Sequence, residues 1–231
     1  MVRNRAARKS SKRKRERKTH GCLALYLSYF FTLALIASFF IFANLYNSGV
    51  LTINYFEADS TIALSLLFPS VVFTYMLTKR MSLREIFSSL GLSADRLGVR
   101  AVIVGVSLFA AILLLQVTFS IFQSVTNIPL PTNVGMLLNG MPLYLLIFAV
   151  VVAPIDEEIL FRGFLVPRIG IILSALVFSL FHLSYLSISE FLAAFIFGLI
   201  AGYAFKRTKS LYATIIGHAL VNLLTILVLL L

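Results

Sequence analysis

Long apolar stretches separated by short polar connections dominate this sequence. A helix needs about 20 mostly apolar residues to cross the roughly 30 Å hydrocarbon core of a bilayer. The pattern therefore predicts about seven membrane-spanning helices, at approximately 22–46, 61–78, 100–122, 141–165, 169–188, 190–205 and 211–230. Only Pro167, Arg168 and Gly170 mark the boundary between the fourth and the fifth. The expected fold is an all-α, polytopic membrane protein.

Composition agrees with a lipid-embedded chain. Of the 231 residues, 60% are hydrophobic and the mean hydropathy is +0.97, whereas a soluble domain is usually about 45–50% apolar. The single cysteine, Cys22, excludes an intramolecular disulfide. It also excludes a zinc site that takes two or more thiolates from one chain.

The positive charge is concentrated at the N-terminus. The net charge is +11, and half of the 20 Lys and Arg residues precede residue 20. Such a block predicts a disordered, basic cytoplasmic tail over 1–20, followed by a first membrane helix and an outer loop over 21–60. Because a long apolar run follows directly, anionic lipid is the favoured partner of the tail, and no nucleic-acid partner is expected.

Basic residues in the connections alternate along the chain. Lys and Arg occur at 79–100, 162–168 and 206–209. They are missing from the intervening connections, 47–60, 123–140 and 184–190. The positive-inside rule then places the N-terminus in the cytoplasm and the C-terminus outside. We expect a multi-pass protein of the cell membrane.

Local signals predict two further features. Ser82 and Glu85 form a capping box, and apolar residues follow at helical spacing up to Gly91, which indicates a short surface helix or a plain connector. Small residues indicate close helix approach, namely Gly198 and Gly202 in the sixth predicted span and Gly217 in the seventh.

A small set of polar residues lies at predicted membrane depth, where a charge costs about 2.5–3.5 kcal/mol on insertion scales. The set is Asp156, Glu157, Glu158, Arg162, His182, His218 and Asn222. Glu158 and Arg162 are spaced i, i+4 and can pair on one helix face, while Glu157 lies about 100° around that helix. His218 and Asn222 share the same spacing.

Each of these residues has a structural interpretation. Glu158 and Arg162 can form an interfacial ion pair, and a membrane histidine or asparagine often joins two helices. Asp156 can cap a helix that restarts after Pro154. Glu157, His182, His218 and Asn222 nevertheless fall about two to three turns inside the membrane, at one depth, which favours a common site.

Three motifs in a fixed order carry a family resemblance. E-E-I-L-F-R at 157–162 fits E-E-x-x-x-R, F-S-L-F-H at 178–182 fits F-x-x-x-H, and H-A-L-V-N at 218–222 fits H-x-x-x-N. With the preceding A-P at 153–154, they resemble the CAAX protease and bacteriocin-processing family, which includes the Ras-converting CAAX endoprotease. The resemblance covers roughly 65–231, within a membrane protease domain predicted over 61–231.

The resemblance implies peptide-bond cleavage in or at the membrane, at a site that opens to the cytoplasm. In the implied roles, Glu157 activates water with the assistance of His182, and His218 with Asn222 stabilises the oxyanion. Glu158 and Arg162 brace the site or meet the substrate. The implied partners are the bilayer and a membrane-associated peptide or prenylated protein.

Three alternatives stay open. Catalysis without a cofactor is preferred, but Glu157 or Glu158 with His182 and His218 could form a His₂Glu zinc site, although H-E-x-x-H is absent. A proton-coupled transporter would also need buried acids and histidines. A non-catalytic immunity or scaffold protein could use the same fold. Neither G-x-S-x-G nor a Ser–His–Asp order is found, which argues against a serine nucleophile.

Overall fold

The computed structural model describes residues 53–127, 141–185 and 187–230, together with Tyr26, Leu33, Val134 and Gly135. Every regular element within these residues is helical, which confirms the predicted all-α class. The predicted basic tail and nearly all of the predicted first span lie outside the described residues. The chain divides into two compact units, Met1–Ser88 and Ser89–Leu231.

The first unit contains helix α1 (Ile53–Thr78) and most of the short helix α2 (Leu83–Ser89). The predicted capping box forms at the start of α2. The Ser82 backbone N–H and hydroxyl both donate to Glu85 Oε2 at 2.7 Å, and the Glu85 N–H donates to Ser82 Oγ at 3.4 Å. Ile86 is buried, and Phe87 packs edge-to-face on Phe73. The predicted short helix is therefore confirmed.

The second unit holds the remaining described helices. They are a 3₁₀ turn (Ala94–Arg96), α3 (Val99–Thr126), α4 (Leu143–Glu158), a π-helix (Ile159–Leu165), α5 (Val166–Phe181), a 3₁₀ turn (His182–Tyr185), α6 (Ile188–Thr208) and α7 (Leu211–Leu230). The predicted helices at 100–122, 141–165, 190–205 and 211–230 are confirmed, with ends shifted by a few residues.

Gly170 divides the long helical stretch that begins at Leu143. Its φ of 83° and ψ of 173° interrupt the helical backbone. Beyond it the chain turns back, because Ser174 Oγ donates to the Phe161 carbonyl at 2.7 Å. On a straight helix these residues would be about 20 Å apart. The predicted boundary at 167–170 is therefore confirmed, and its physical cause is a glycine conformation.

The predicted continuation of the fifth span to residue 188 is wrong. α5 ends at Phe181, and a 3₁₀ turn begins at His182. Ser187 then caps α6, with its side chain accepting from the Glu190 N–H. Because this cap starts a new helix, the apolar run after residue 182 is divided between two elements. His182 consequently lies at the end of α5, not inside a long helix.

Replacing Gly170 by Ala is expected to destabilise the protein by about 1–3 kcal/mol, because its backbone region is essentially restricted to glycine. A Cβ at Gly170 would meet no atom within 4 Å, so the cost is conformational and not steric. Gly98 also offers open space, but its backbone is extended with φ of 180°. Gly98→Ala is the matched control and should change stability by less than about 0.5 kcal/mol. Equal thermal unfolding of the two variants in detergent would contradict the prediction.

Glycines bring the helices of the second unit into close contact. A Cβ on Gly198 would lie 2.8 Å from Ala175 Cβ, and one on Gly217 would lie 2.1 Å from Leu108 Cδ2. The predicted close approaches of α6 and α7 are thus confirmed, and their partners are α5 and α3. Such contacts are usual in membrane helices, where small residues permit tight packing.

By length and composition, four helical stretches of the described chain can cross a membrane: Val99–Thr126, Leu143–Phe181, Ile188–Thr208 and Leu211–Leu230. The second of these is the stretch folded at Gly170. Within α1, the apolar helix Ser65–Thr78 is shorter than a full span. The chain is an integral membrane protein, and the count of seven spans stays a prediction.

Candidate active site

A buried ion pair lies at the junction of α4 and the π-helix. Arg162 Nη1 lies 2.8 Å from Glu158 Oε1, and the two side chains are 1% and 0% exposed. The distance is that of a salt bridge, but the pair is not aligned as a hydrogen bond. The predicted i, i+4 contact is therefore present. Because both groups are buried away from water, the charge of each must be compensated by the other.

The π-helix from Ile159 to Leu165 contains Arg162 and follows the two glutamates directly. At its end the Val166 N–H donates to the Phe161 carbonyl, five residues earlier, instead of four as in an α-helix. Such π segments are uncommon and occur frequently at functional sites. Here it begins one residue after Glu158.

Two phenylalanine rings enclose the Arg162 guanidinium. Its central carbon lies 4.3 Å from the ring centroid of Phe178 and 4.9 Å from that of Phe197. A cation over an aromatic face is attracted by the ring quadrupole, and more strongly when both are desolvated. Arg162 is thus held by a carboxylate and by two rings, which come from α5 and α6.

His218 connects the two adjacent glutamates. Its Nδ1 lies 3.0 Å from Glu158 Oε1, and its Nε2 lies 3.7 Å from Glu157 Oε2. A carboxylate accepts, so Nδ1 carries the proton and donates to Glu158. In the neutral ring, Nε2 then has a lone pair facing Glu157. Only the doubly protonated ring can donate from Nε2.

His182 has a fixed orientation at the end of α5. Its Nδ1 lies 3.0 Å from the Phe178 carbonyl oxygen, and its ring packs on the Phe178 ring at 4.5 Å. Because a carbonyl can only accept, Nδ1 is the donor and the neutral ring has its lone pair at Nε2. The structure also places the ring within electrostatic range of the Glu157 carboxylate.

Asn222 makes a different contact from the other site residues. It lies one turn beyond His218 on α7, and its Nδ2 donates to the Ala149 carbonyl at 2.8 Å. Ala149 lies next to Val150, whose carbonyl loses its helical donor because Pro154 has no N–H. Asn222 thus joins α7 to α4 near this proline. A carboxamide has two N–H donors, so one remains for another acceptor.

Asp156 is part of the α4 interior. α4 runs through Pro154 to Glu158 without restarting, and the Asp156 side chain is buried. The interpretation of Asp156 as a cap after the proline is therefore wrong. Membrane helices tolerate an internal proline when neighbouring groups or local adjustments satisfy the freed backbone, and Asn222 bonds the carbonyl next to the freed one, that of Ala149.

Two residues of the site were missed in the sequence. Thr214 is fully buried one turn before His218, and its hydroxyl donates to the Leu211 carbonyl at 3.1 Å. The four-residue spacing of Thr214, His218 and Asn222 was a signal that all three share one face of α7. Phe197 gave no such signal, because it is one of 21 phenylalanines.

The donor set does not fit a three-ligand metal site. No group of three His, Cys, Asp or Glu side chains is placed to hold a metal ion anywhere in the described part of the chain. Zinc is usually held by three protein ligands around an open position in catalytic sites. The Nδ1 atoms of His218 and His182 are engaged by Glu158 and by the Phe178 carbonyl, which leaves both Nε2 atoms available, as in many metal-ligating histidines.

Comparison with known families agrees with this geometry. The model of a family described as type II CAAX prenyl endopeptidase Rce1-like matches residues 139–224. Residues 139–224 are thus similar to this family. The match contains all three motifs, and it confirms the resemblance to the CAAX protease family over its specific part. It does not extend to residues 65–138. No curated protein and no solved structure matches the chain significantly.

The matched segment lies within the second unit of the chain. It runs from the connection before α4 into α7, and it includes every predicted site residue. The description of the matched family names a CAAX prenyl endopeptidase. Four helical stretches of the described chain are long and apolar enough to cross a membrane, which agrees with the predicted membrane location.

Proposed function

We propose that this protein is an intramembrane endopeptidase in which Glu157 activates the attacking water. The observation that carries the proposal is the contrast between the two adjacent carboxylates. Glu158 is fully buried and engaged by Arg162 and His218. Glu157 is 22% exposed, and its Oε2 has no hydrogen-bond partner among the described residues. A carboxylate without such a partner is able to accept a proton from water.

His182 supports Glu157 in this proposal. With its Nδ1–H directed to the Phe178 carbonyl, its Nε2 can accept a hydrogen bond from the same water. The backbone bond fixes the tautomer, as a second partner does for many catalytic histidines. Glu157, as the base, and His182, as an orienting acceptor, would then both bind the attacking water.

His218 and Asn222 are proposed to stabilise the oxyanion. For His218 this role needs the doubly protonated ring, because Nδ1 already donates to Glu158. The ring would be doubly protonated before the attack, with Glu157 and Glu158 balancing its charge. Once Glu157 has taken the proton from water and become neutral, the Nε2–H would face the developing oxyanion. Asn222 would contribute the N–H that Ala149 does not use. One oxyanion donor is typically worth about 10²–10³ in rate.

The site is proposed to open to the cytoplasm of the cell membrane. Lys206 and Arg207 occupy the last turn of α6, and both are exposed. Arg168, also exposed, lies two residues before the turn at Gly170. Positive charge at these positions supports the predicted cytoplasmic side. Prenylated CAAX-type peptides are the proposed substrates, because the family description names that class.

Chelator treatment is expected to leave cleavage unchanged. The purified protein in liposomes would be given a farnesylated CAAX peptide, with its unprenylated form as control, and release of the tripeptide would be measured by mass spectrometry. We expect cleavage that survives metal removal, because the described residues do not form a three-ligand zinc site. Loss of cleavage on stripping, with recovery on zinc addition, would favour the His₂Glu alternative.

A further inference from the structure

Phe197 occupies a position between two charged or polar members of the site. Its ring centroid lies 4.6 Å from that of His218 and 4.9 Å from the Arg162 guanidinium carbon. The Phe197 side chain is 6% exposed. It projects from α6, a helix that contributes none of the three polar motifs. Phe197 thus links the helix of the ion pair to the helix of His218.

The backbone around Phe197 is held in place by close packing. The next residue, Gly198, approaches Ala175 so closely that a Cβ would lie 2.8 Å from the alanine Cβ. α6 therefore has little room to move closer to α5 at this point. A ring on such a fixed helix has a defined position relative to Phe178, whose centroid lies 5.9 Å away. The two rings enclose Arg162 from two helices.

The ring also compensates for a poorly satisfied cation. Two nitrogens of the Arg162 guanidinium, Nη1 and Nη2, have no aligned hydrogen-bond acceptor among the described residues. A buried guanidinium usually needs such acceptors. The electron-rich face of Phe197 offers an attraction that an aliphatic side chain of similar volume cannot provide.

We propose that Phe197 is a positioning residue that fixes Arg162 and His218 relative to each other. This inference rests on the proposed function for its kinetic consequence, but its structural part stands on the ring geometry alone. Phe197 need not touch substrate. It acts by keeping His218 Nδ1 on Glu158, so that Nε2 stays directed toward Glu157.

The kinetic test compares two phenylalanines of the same helix. Phe205 is 2% exposed on α6 and lies two turns beyond Phe197, so Phe205→Leu creates a similar packing defect. Phe197→Leu should lower kcat by roughly 10–100-fold with KM nearly unchanged, as expected for a misplaced catalytic group. Phe205→Leu should keep kcat within about threefold. Phe197→Met serves as a second variant, because methionine fills irregular space without an aromatic face.

A second readout needs no substrate. The chain has three histidines, so ¹⁵N-histidine labelling in a His20→Gln background leaves only His182 and His218. In the parent, His218 should show a protonated, hydrogen-bonded Nδ1 and ring-current shifts. Both should be lost in Phe197→Leu and kept in Phe205→Leu. An unchanged His218 signal in Phe197→Leu, or equal kcat in both variants, would overturn the inference. If the parent cleaves no peptide but the His218 signal changes as described, the proposed function fails and the positioning role stands.

Discussion

Replacing Glu157 by Gln is expected to lower peptide cleavage by at least about 10²–10⁴, the usual contribution of a general base. Glutamine has nearly the same shape and cannot accept the proton of the attacking water. Little stability should be lost, because Glu157 is half-buried and its closest ionic partner, His218 Nε2, is 3.7 Å away. This contact is too long for a hydrogen bond, so the substitution removes no aligned hydrogen bond of Glu157 Oε2. Initial cleavage rates in liposomes and thermal unfolding in detergent would measure both effects.

A carboxylate far from the site provides the control for this variant. Asp95 lies in a 3₁₀ turn with its side chain 74% exposed, and it pairs only loosely with Arg96 at 3.5 Å. Asp95→Asn makes the same chemical change and should leave cleavage as in the parent. Full cleavage by Glu157→Gln would show that Glu157 is not the base. Glu157 would then be better explained as a structural residue beside the Glu158–Arg162 pair.

Features set by neighbours in sequence could be predicted. The capping box at Ser82 and Glu85 joins groups three residues apart, and the Glu158–Arg162 pair joins groups one turn apart. The turn at Gly170 follows from a glycine that adopts a backbone conformation other residues avoid. Each of these three features depends only on residues close together in the sequence, so residue type and spacing are enough to predict it.

Features set by packing between distant elements could not be predicted. The π-helix at Ile159–Leu165 has no characteristic residue type that would mark it in the sequence. The acceptor of Asn222, Ala149, is 73 residues away. The fifth span was extended too far because Ser187 begins a new helix within an apolar region. Periodicity reports which face is apolar, but not which partner meets it.

The adjacent Glu158→Gln variant is expected to behave differently from Glu157→Gln, because it should lose stability as well as activity. Removing this carboxylate leaves the Arg162 charge buried with its side chain only 1% exposed. Breaking a buried pair in this way costs about 3–5 kcal/mol. Cleavage should also fall, since the glutamine no longer holds His218 by a charged acceptor. Unfolding in detergent, followed by circular dichroism, would measure the stability difference between the two glutamine variants.

A double variant separates charge compensation from packing. Glu158→Leu with Arg162→Met removes both charges and keeps most of the side-chain volume, a change that is often neutral or stabilising for buried pairs. We expect the double variant to recover most of the stability lost by Glu158→Gln. Activity should stay low, because His218 Nδ1 would have lost its acceptor at 3.0 Å and its ring would be free to turn. If the double variant is as unstable as Glu158→Gln, the loss comes from packing around the two phenylalanine rings and not from an uncompensated guanidinium.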